Sequence, residues 1–344
     1  MTTISDIAKA CGTSKTTVSL VMNGNDRKIS REMRERVLET VKRMDYQPSA
    51  LARGLSMQRA GAIGIWTPEV PHILGLQYYA SIIAGIVDEA AQFGLTVTLF
   101  SATVWKRNDS SRLIFSDGRC DGLIMVGIPD FDVLDAVAKS KLPCVVLHGG
   151  RALNNVHTID IDNIKAGYDA TRYLVERGHR RIGFLHADET RAFSIDRFEG
   201  YRNALSDCGI DFDPAWSFVG NNASEMGYEH ATNIVSDPSL ALTALFCATD
   251  LLALGAIQGL RDAGVRVPAD MSVIGIDGML DGARSFPKLT TLDQSLEMLG
   301  VEAARTLMGA IENPDSEAGH TVWQVHLVER ESVCVRTNEL VGFP

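Results

Sequence analysis

Beyond residue 60, short apolar runs alternate with longer amphipathic segments, and this alternation repeats in a second series. Apolar runs of this length, separated by turn residues, are typical of parallel strands buried on both faces. The first predicted strands are AIGIWTP, LTVTLFSA, DGLIMVGI and PCVVLHG, with helices YYASIIAGIVDEAAQFG and VLDAVAKS. The second series is RIGFLHA, TALFCAT and MSVIGID, with helices AGYDATRYLVERG, RFEGYRNALSDCG and LLALGAIQGLRDAG. The sequence therefore predicts an α/β body of two doubly wound, Rossmann-like subdomains with a ligand cleft between them.

The first 60 residues differ from the rest of the chain in charge. They contain eleven Lys and Arg against six Asp and Glu, a net charge of +5, whereas the remaining residues carry −15. Phosphate contacts supply most non-specific affinity for DNA, so a basic head on an acidic body is typical of a DNA-binding regulator. A basic end is also common as ordinary solvated surface, and charge alone does not separate the two cases.

Three short amphipathic helices are predicted in this basic segment. Thr3 and Asp6 form a capping-box-like start for the first helix, and Gly12 permits the turn that follows it. Ser14 and Ser30 are good N-caps for the second and third helices. The positions expected to form a small shared core are Ile4, Ile7, Ala8, Cys11, Val18, Val21, Met22, Val37, Leu38, Val41 and Met44.

The second helix carries a mainly polar face near its N-terminus, opposite its apolar face. In a helix-turn-helix unit, this is the surface that enters the major groove of DNA. The residues on this face are Lys15, Thr16, Ser19 and Leu20. The sequence therefore predicts a small all-α helix-turn-helix head that binds DNA.

Two long motifs make the head and the segment after it similar to a known family. SDIAKACGTSKTTVSLVMNG and ISREMRERVLETVKRMDYQPSALARGL resemble the LacI/GalR family of bacterial transcriptional regulators, and the similarity covers essentially the full length. The resemblance implies a periplasmic-binding-protein-like body whose subdomains exchange strands. It implies a head at 1–46, a hinge at 47–60 that is helical on DNA, an N-terminal effector subdomain at 61–161 plus about 292–322, and a C-terminal effector subdomain at 162–291 plus about 323–344.

The resemblance also assigns DNA-contacting residues, and one of them departs from the family. Leu55 matches the family's leucine wedge, which enters the minor groove and bends the duplex. At Leu20 the family usually has an arginine that pairs with a guanine edge. A leucine offers apolar contact only, for instance to a thymine methyl, so a different base is expected there; alternatively, Leu20 packs at the edge of the head. The full set is Ser14, Lys15, Thr16, Thr17, Ser19, Leu20, Asn23, Lys28, Tyr46 and Leu55.

Effector-contacting residues are implied by the same resemblance. Arg197, in SIDRFEGYR, matches an arginine that clamps ligand hydroxyls, and Asp277, in GIDG, matches a carboxylate acceptor on the opposite wall of the cleft. Tyr78 and Tyr79 match an aromatic pair at the cleft mouth, with burial in the core as the alternative. The remaining implied contacts are His148, Asn222 and Thr249, where the chain departs from the family.

These three departures are all polar, which bears on the class of effector. A cleft with one aromatic wall and many hydrogen-bonding groups suits a sugar or sugar acid better than a flat purine. His148 stands where the family usually has aspartate, so it favours a ligand carboxylate, although a structural histidine at a strand end is an equal alternative. A nucleobase-responsive regulator is the alternative function.

Motifs of the common enzyme classes are absent from the sequence. There is no G-x-S-x-G nucleophile elbow, no G-x-x-x-x-G-K-[ST] phosphate loop and no G-x-G-x-x-G opening a helix after a strand. The eight histidines have no metal-type spacing, and the six cysteines lie far apart, without the pattern of a zinc site or a disulfide framework. Neither catalysis nor a metal or cofactor is expected.

The expected location and assembly follow from the same features. A periplasmic-type binding protein would need a signal peptide and has no use for a DNA-binding head, whereas here Asp6 interrupts the N-terminal segment. A cytoplasmic location is therefore expected. A pseudo-palindromic operator requires two heads, so we expect a homodimer, and the C-terminus lacks the leucine heptads of a tetramer-forming tail. The sequence predicts a transcriptional repressor controlled allosterically by a small molecule in the cleft.

Overall fold

The computed structural model divides into two compact units, Met1–Gly61 and Ala62–Pro344. The residues that it describes are 2–24, 26, 28–47, 59–68, 72–101, 117–127, 137, 140, 142–148, 156–188 and 190–336. The predicted wedge residue Leu55 and most of the predicted hinge at 47–60 lie outside these residues, as does most of the predicted helix VLDAVAKS.

The first unit consists of α1 (Ile4–Cys11), α2 (Lys15–Met22) and α3 (Arg31–Arg43). Thr3 and Asp6 form a reciprocal capping box at the start of α1. Gly12 ends α1 with φ of 62°, a left-handed conformation that glycine adopts without steric cost. The Ser14 hydroxyl oxygen then accepts a hydrogen bond from the Thr17 backbone N–H at 3.0 Å, which caps α2.

Side chains from all three helices form the core of the first unit. One predicted member of this core, Leu38, is instead 45% exposed, so that prediction was wrong. Leu38 follows Val37 by one residue, which rotates it by about 100° around α3 and away from the stripe that contains Val37 and Val41. The buried core residues are Ile7, Ala8, Cys11, Val18, Val21 and Val37.

A six-stranded parallel sheet forms one half of the second unit. Its strands are β1 (Ala62–Thr67), β2 (Thr96–Ser101), β3 (Gly122–Val126), β4 (Cys144–Leu147), β5 (His157–Ile161) and β11 (His320–Trp323). Their order is β11-β5-β4-β3-β1-β2, and α4 (Gln77–Gln92) packs its Ile82 and Ile86 against this sheet. Strand β5 was not among the predicted strands, because Thr158 and Asp160 interrupt its apolar pattern.

A second six-stranded sheet forms the other half of this unit. Its strands are β6 (Ile182–Leu185), β7 (Ser217–Phe218), β8 (Ala244–Cys247), β9 (Ser272–Asp277), β10 (Thr290–Asp293) and β12 (His326–Val328). The order is β12-β10-β9-β8-β6-β7, with only the β10–β12 pair antiparallel among the described strands. The accompanying helices are α5 (Asn163–Glu176), α6 (Ala192–Asp207), α7 (Ser224–Ser236), α8 (Asp250–Asp262) and α9 (Leu280–Arg284).

The chain crosses between these two sheets at three described places. It passes from the first sheet to the second after β5, and it returns after β10 through α10 (Leu296–Glu312). Helix α10 packs on α4, where the Arg305 guanidinium pairs with the Glu89 carboxylate at 2.8 Å. The last crossing joins β11 to β12. The two halves of this unit are therefore interleaved in sequence and do not form as consecutive segments.

Helices α5 and α6 approach each other closely at a glycine. A Cβ atom added to Gly167 would lie 2.1 Å from the backbone carbonyl oxygen of Arg197, a separation that real Cβ atoms do not show. The absence of a side chain at residue 167 therefore sets how close α6 lies to α5. This spacing matters for function, because α6 carries the arginine implied to contact the effector.

Replacing Gly167 with alanine is expected to destabilise the second unit. The added methyl group meets backbone, which moves only if the helices separate, and overpacking of this kind costs roughly 1–3 kcal/mol. Gly309→Ala is the matched control, because Gly309 is exposed on α10 with no atom within 4 Å of an added Cβ, and alanine there favours the helix by about 0.5–1 kcal/mol. Thermal melting of both variants checks the prediction, and equal effects would contradict it.

Candidate functional site

The first unit exposes one face of α2 to solvent. Lys15, Thr16 and Leu20 are exposed on this helix, and Ser19 is half-buried. Leu20 has 38% of its surface exposed and does not belong to the core cluster of the unit. An exposed leucine beside a lysine and a threonine is available for contact with another molecule. The exposure of Leu20 does not support the alternative in which this residue packs into the edge of the head.

Other residues implied to contact DNA have local structural roles in the first unit. Ser14 caps α2, with its hydroxyl also 2.9 Å from the Thr17 hydroxyl. Asn23 follows the end of α2, and its side-chain amide donates to the Ser19 hydroxyl at 3.4 Å. Tyr46 is half-buried against the core of the unit. Lys28 is exposed.

A second candidate site lies in the second unit, around the buried side chain of Arg197. The residue lies on α6 and is 3% exposed. Its Nε donates to Asn163 Oδ1 at 2.9 Å, and its Nη1 donates to the carbonyl oxygen of Ala248. The nearest Asp277 oxygen is 3.8 Å from Nη1, beyond hydrogen-bond distance. Two of the three guanidinium nitrogens are therefore occupied by the protein itself.

The expectation that Arg197 and Asp277 stand on opposite walls of a cleft was wrong. Arg197 lies on α6, which packs beside the second sheet, and Asp277 ends β9 of that same sheet. The C-terminal ends of β8 and β9 and the helix α6 belong to one half of the unit, so both side chains lie on one wall. The motifs identified the residues, whereas their arrangement depends on strand order.

Asp277 occupies an unusual position at the end of its strand. Its backbone φ is 144°, in a region where non-glycine residues are strained. Its Oδ1 accepts a hydrogen bond from Gln294 Nε2 at 2.8 Å, and its Oδ2 lies 3.4 Å from the Asp250 backbone nitrogen. Burial raises the pKa of Asp277 to about 8. The Arg197 guanidinium opposes this rise, and the Asp250 carboxylate adds to it.

The neighbouring Asp250 is fully buried at the first position of α8. Its Oδ1 accepts from the Thr291 hydroxyl at 2.6 Å, and its Oδ2 accepts from the Met279 backbone N–H at 2.7 Å. Gly275 leaves room for this carboxylate, because a Cβ there would lie 2.3 Å from Asp250 Oδ1. Burial raises the pKa of Asp250 to about 6, with the hydrogen bonds acting in the opposite direction.

An aromatic pair approaches these charged groups from the first half of the unit. Tyr78 and Tyr79 pack edge-to-face on α4 with ring centroids 5.1 Å apart. Burial raises the pKa of the Tyr78 hydroxyl, and the Asp277 carboxylate raises it further while Arg197 opposes the change. Tyr78 therefore lies within electrostatic range of the Arg197 and Asp277 side chains. Gln77 Oε1 also accepts from the Asp281 backbone N–H at 2.9 Å, which joins α4 to the second half.

His148 follows β4 on the side of Tyr78, with the two rings 5.8 Å apart. Its φ is 56°, and its Nδ1 is 3.5 Å from Asp160 Oδ1. Its Nε2 is buried and has no hydrogen-bond partner among the described residues. A buried nitrogen without a partner is costly unless a ligand or water supplies one, so His148 is available to a bound molecule.

Thr249 and Asn222 form a contact at the start of α8. The Thr249 hydroxyl donates to Asn222 Oδ1 at 2.7 Å and accepts from the Leu252 backbone N–H at 3.3 Å, which caps the helix. Asn222 is exposed, and the described contacts leave its amide nitrogen for another acceptor. Of this pair, Asn222 offers the accessible donor.

Sequence reasoning missed several residues of this second site. Asp250, Gln294, Asn163 and Asp160 all lie against the predicted contacts, yet none matches a motif. A usable signal existed for Asp250 and Gln294, because each lies just after a strand, where ligand sites of parallel sheets occur. Asp160 lies within β5 and Asn163 follows it, and the interrupted pattern of β5 gave no such signal. Within the described residues, no group of three or more His, Cys, Asp or Glu side chains is placed to hold a metal ion.

The two units together define a class of protein. A three-helix unit with an exposed reading helix and a two-sheet unit with a polar site at its strand ends belong to DNA-binding regulators with a ligand-binding domain. A family model described as bacterial regulatory proteins, lacI family, matches residues 3–49. A model of the periplasmic binding protein-like domain matches residues 171–333.

Individual relatives extend this match over the whole chain. The HTH-type transcriptional repressor PurR of Mannheimia succiniciproducens is 34% identical over 342 residues, covering 97% of this chain and 99% of that protein. PurR of Haemophilus influenzae strain PittEE is 34% identical over 324 residues, covering 92% of this chain and 93% of that protein. The chain belongs to the LacI/GalR family; it is a transcriptional repressor with a ligand-binding domain, and it is not an enzyme.

Solved structures show the same architecture. The Lac repressor dimer bound to operator and the anti-inducer ONPF superposes with a TM-score of 0.83 at 25% identity, covering 97% of this chain and 99% of that one. The complex of the transcriptional regulator CelR with cellobiose has a TM-score of 0.70 at 27% identity, covering 96% and 100%. Among the described helices, none has the length and apolar character required to cross a membrane.

Proposed function

We propose that this repressor binds a pseudo-palindromic operator as a homodimer in the cytoplasm, and that a small molecule bound in the second unit changes its operator affinity. The observation that carries the proposal is the exposed face of α2 in a basic three-helix unit. The similarity to a Lac repressor dimer bound to operator supports the assembly. Two heads related by a two-fold axis match the two half-sites of a palindrome.

The proposed DNA contacts divide into base readers and phosphate binders. Lys15, Thr16 and Leu20 are proposed to reach base edges, because they are exposed near the start of α2. The remaining proposed contacts are Ser14, Thr17, Ser19, Asn23, Lys28, Tyr46 and Leu55. Phosphate binding releases counterions, so operator affinity should fall steeply with salt. Anisotropy with sequences selected from a random pool tests this, and equal affinity for selected and unrelated DNA would contradict it.

Replacing Leu20 with arginine is expected to move the preferred base at one half-site position toward guanine. A guanidinium forms a bidentate pair with a guanine edge that discriminates by about 1–3 kcal/mol, whereas leucine offers apolar contact only. Leu38→Arg is the matched control, because Leu38 is also an exposed leucine of the head, on α3. This substitution adds the same charge at a place outside α2. Binding-site selection measures both variants, and an unchanged base preference for Leu20→Arg would place residue 20 outside the groove.

The proposed effector site combines the polar groups around Arg197 with the aromatic pair on α4. Asn222 and the unpartnered His148 nitrogen add hydrogen-bonding capacity to the arginine and Asp277. Many polar groups beside one aromatic wall favour a sugar or sugar acid. The CelR relative bound to cellobiose agrees with this class. The proposed contacts are Tyr78, Tyr79, His148, Arg197, Asn222, Thr249 and Asp277.

A nucleobase is the second candidate effector, because the Mannheimia and Haemophilus relatives carry the name PurR. The tyrosine pair would then stack on the base. Thermal-shift measurements with sugars, sugar acids and nucleobases separate the two candidates, since a ligand at a hundred times its Kd stabilises by about 2.7 kcal/mol. A nucleobase that binds in preference to every sugar would overturn the first candidate.

A route from the effector site to the chain crossings runs through Gln294. This residue follows β10, its side chain holds Asp277, and its backbone carbonyl accepts from the Trp323 indole N–H at 2.8 Å. Trp323 ends β11 and packs against the cores of both halves. Rearrangement at Asp277 would therefore reach two crossings, and a rotation between the halves is the proposed cause of the change in operator affinity.

A further inference from the structure

Two buried carboxyl groups, those of Asp250 and Asp277, are neighbours in the proposed effector site, and the hydrogen bonds that stabilise a negative charge on them are unequal. Asp250 accepts two short hydrogen bonds and stands at the first position of α8, where the helix dipole favours a negative charge. Asp277 accepts one short bond, from a neutral amide, and its other contact is 3.4 Å long. When two carboxyl groups share a buried site, the less supported one keeps its proton. The negative charge therefore resides on Asp250.

The nearby guanidinium does not remove this proton from Asp277. Arg197 directs Nε and Nη1 to Asn163 and Ala248, and it stays 3.8 Å from the carboxyl oxygen. Its Nη2 has no acceptor among the described residues. The Gln294 amide donates to Oδ1 of Asp277, so the proton resides on Oδ2, whose other contact is 3.4 Å long. Asp277 and Arg197 therefore both present hydrogen-bond donors.

The other ionisable groups around Asp277 do not change this balance. Tyr78 and Tyr79 approach from α4, and both are neutral at pH 7 because burial raises the pKa of each hydroxyl. The positive charge of Arg330 lowers the pKa of Asp250 and thereby stabilises the negative charge of that carboxylate. The negative charge of Asp160, on the first sheet, favours the charged form of Arg197. Asp160 also lies beside His148. Burial and the Asp250 carboxylate raise the pKa of Asp277 to about 8, which agrees with the hydrogen-bond geometry.

We propose that the effector presents a carboxylate, or another anionic acceptor group, to the paired donors of Arg197 and protonated Asp277. The inference rests on the proposed effector site and selects the acid within the sugar class. The ligand carboxylate would accept one bond from Nη2 and one from the Asp277 O–H, with no net change in protonation at neutral pH. A hydroxyl or N–H group at the same place would need Asp277 to release its proton first.

The proton on Asp277 is tested first, in the ligand-free, full-length protein. Because the folded pKa of about 8 exceeds the ordinary value of 3.8, the folded state binds more protons between these limits, and stability falls as pH rises through that window. Asp277→Asn removes the titrating group and should gain several degrees in melting temperature relative to wild type between pH 6 and 9. Asp211→Asn, at an exposed position, is the control. A parallel pH profile for wild type and Asp277→Asn overturns the proposal.

The ligand class is tested with gluconate, galacturonate and acetate against glucose, galactose and adenine. At least one acid should stabilise wild type but not Arg197→Met, and its affinity should hold from pH 6 to 7.5 and fall about tenfold per unit above pH 8. Asp277→Ala should weaken binding of the acid, and Asp277→Asn, which keeps a donor, should restore it and remove the fall. No stabilisation by any of the acids, or affinity that rises with pH, overturns the proposal.

These outcomes are separate from failure of the proposed repressor function. The proton on Asp277 and the binding of acids are measured without DNA, whereas operator selection is measured without effector. A protein that binds its operator but no acid contradicts the ligand class alone. If instead it binds acids in the predicted manner but no operator, only the proposed DNA function fails.

Discussion

Deletion of residues 1–60 is expected to abolish specific operator binding while the remaining chain stays folded. The deleted segment carries the net charge of +5 and the exposed face of α2, whereas the rest carries −15 and repels phosphate. Specific protein–DNA affinity typically exceeds non-specific affinity by about 10³-fold or more, so a loss of at least a thousandfold is expected. Anisotropy with labelled operator measures it.

Two controls establish that this loss concerns the head alone. The second unit has its own cores in both sheets, so its circular dichroism and its cooperative melting should persist after the deletion. Effector binding should persist as well, because every proposed effector contact lies in the second unit. If the shortened protein still bound operator with full-length affinity, the helix-turn-helix assignment would be wrong.

Arg197→Met is expected to reduce effector affinity by at least tenfold and to leave operator affinity without effector unchanged. The substitution removes charge-assisted hydrogen bonds to the ligand, each worth roughly 1.5–3 kcal/mol. It also leaves Asn163 Oδ1 and the Ala248 carbonyl without their donor, so the melting temperature should fall by a few degrees. Calorimetric titration and thermal melting on the same preparation measure both effects.

Arg202→Met is the matched control for this substitution. Arg202 lies on the same helix but is exposed, with its guanidinium 5.4 Å from the Phe212 ring centre. It should change neither effector affinity nor, beyond a small amount, melting. A variant of Arg197 that melts lower but binds effector normally would assign that arginine to structure alone and remove it from the site.

The fold was predictable because most strands are uniformly apolar and most helices amphipathic. Strand β5 was not predicted because Thr158 and Asp160 interrupt its apolar pattern. Strand β7 was not predicted because it has two residues, too few to show a periodicity. The head was predictable down to its caps, since capping depends on residues three positions apart. Leu38 was misplaced because helical periodicity alone does not give the width of the buried stripe.

The effector site was only partly predictable, and the limit is sequence distance. Arg197 and Asp277 stand in recognisable motifs, but their shared wall follows from strand order. Asp277 receives its hydrogen bond from Gln294, 17 positions away, and Asp250 receives one from Thr291, 41 positions away. Contacts across such distances leave no local pattern, so the partners that set the protonation of Asp277 became visible only in the fold.

The late arrival of β11 has a consequence for how the protein is made. Strand β11 completes the edge of the first sheet beside β5, and its His320 lies 162 positions after Thr158, to which it is hydrogen-bonded. A ribosome releases every strand of the second sheet except β12 before it releases this strand. Until then β5 is an unpaired edge, the kind of surface at which nascent chains associate wrongly. Substitutions that slow translation or weaken β11 should therefore lower the yield of soluble protein before they alter its melting temperature.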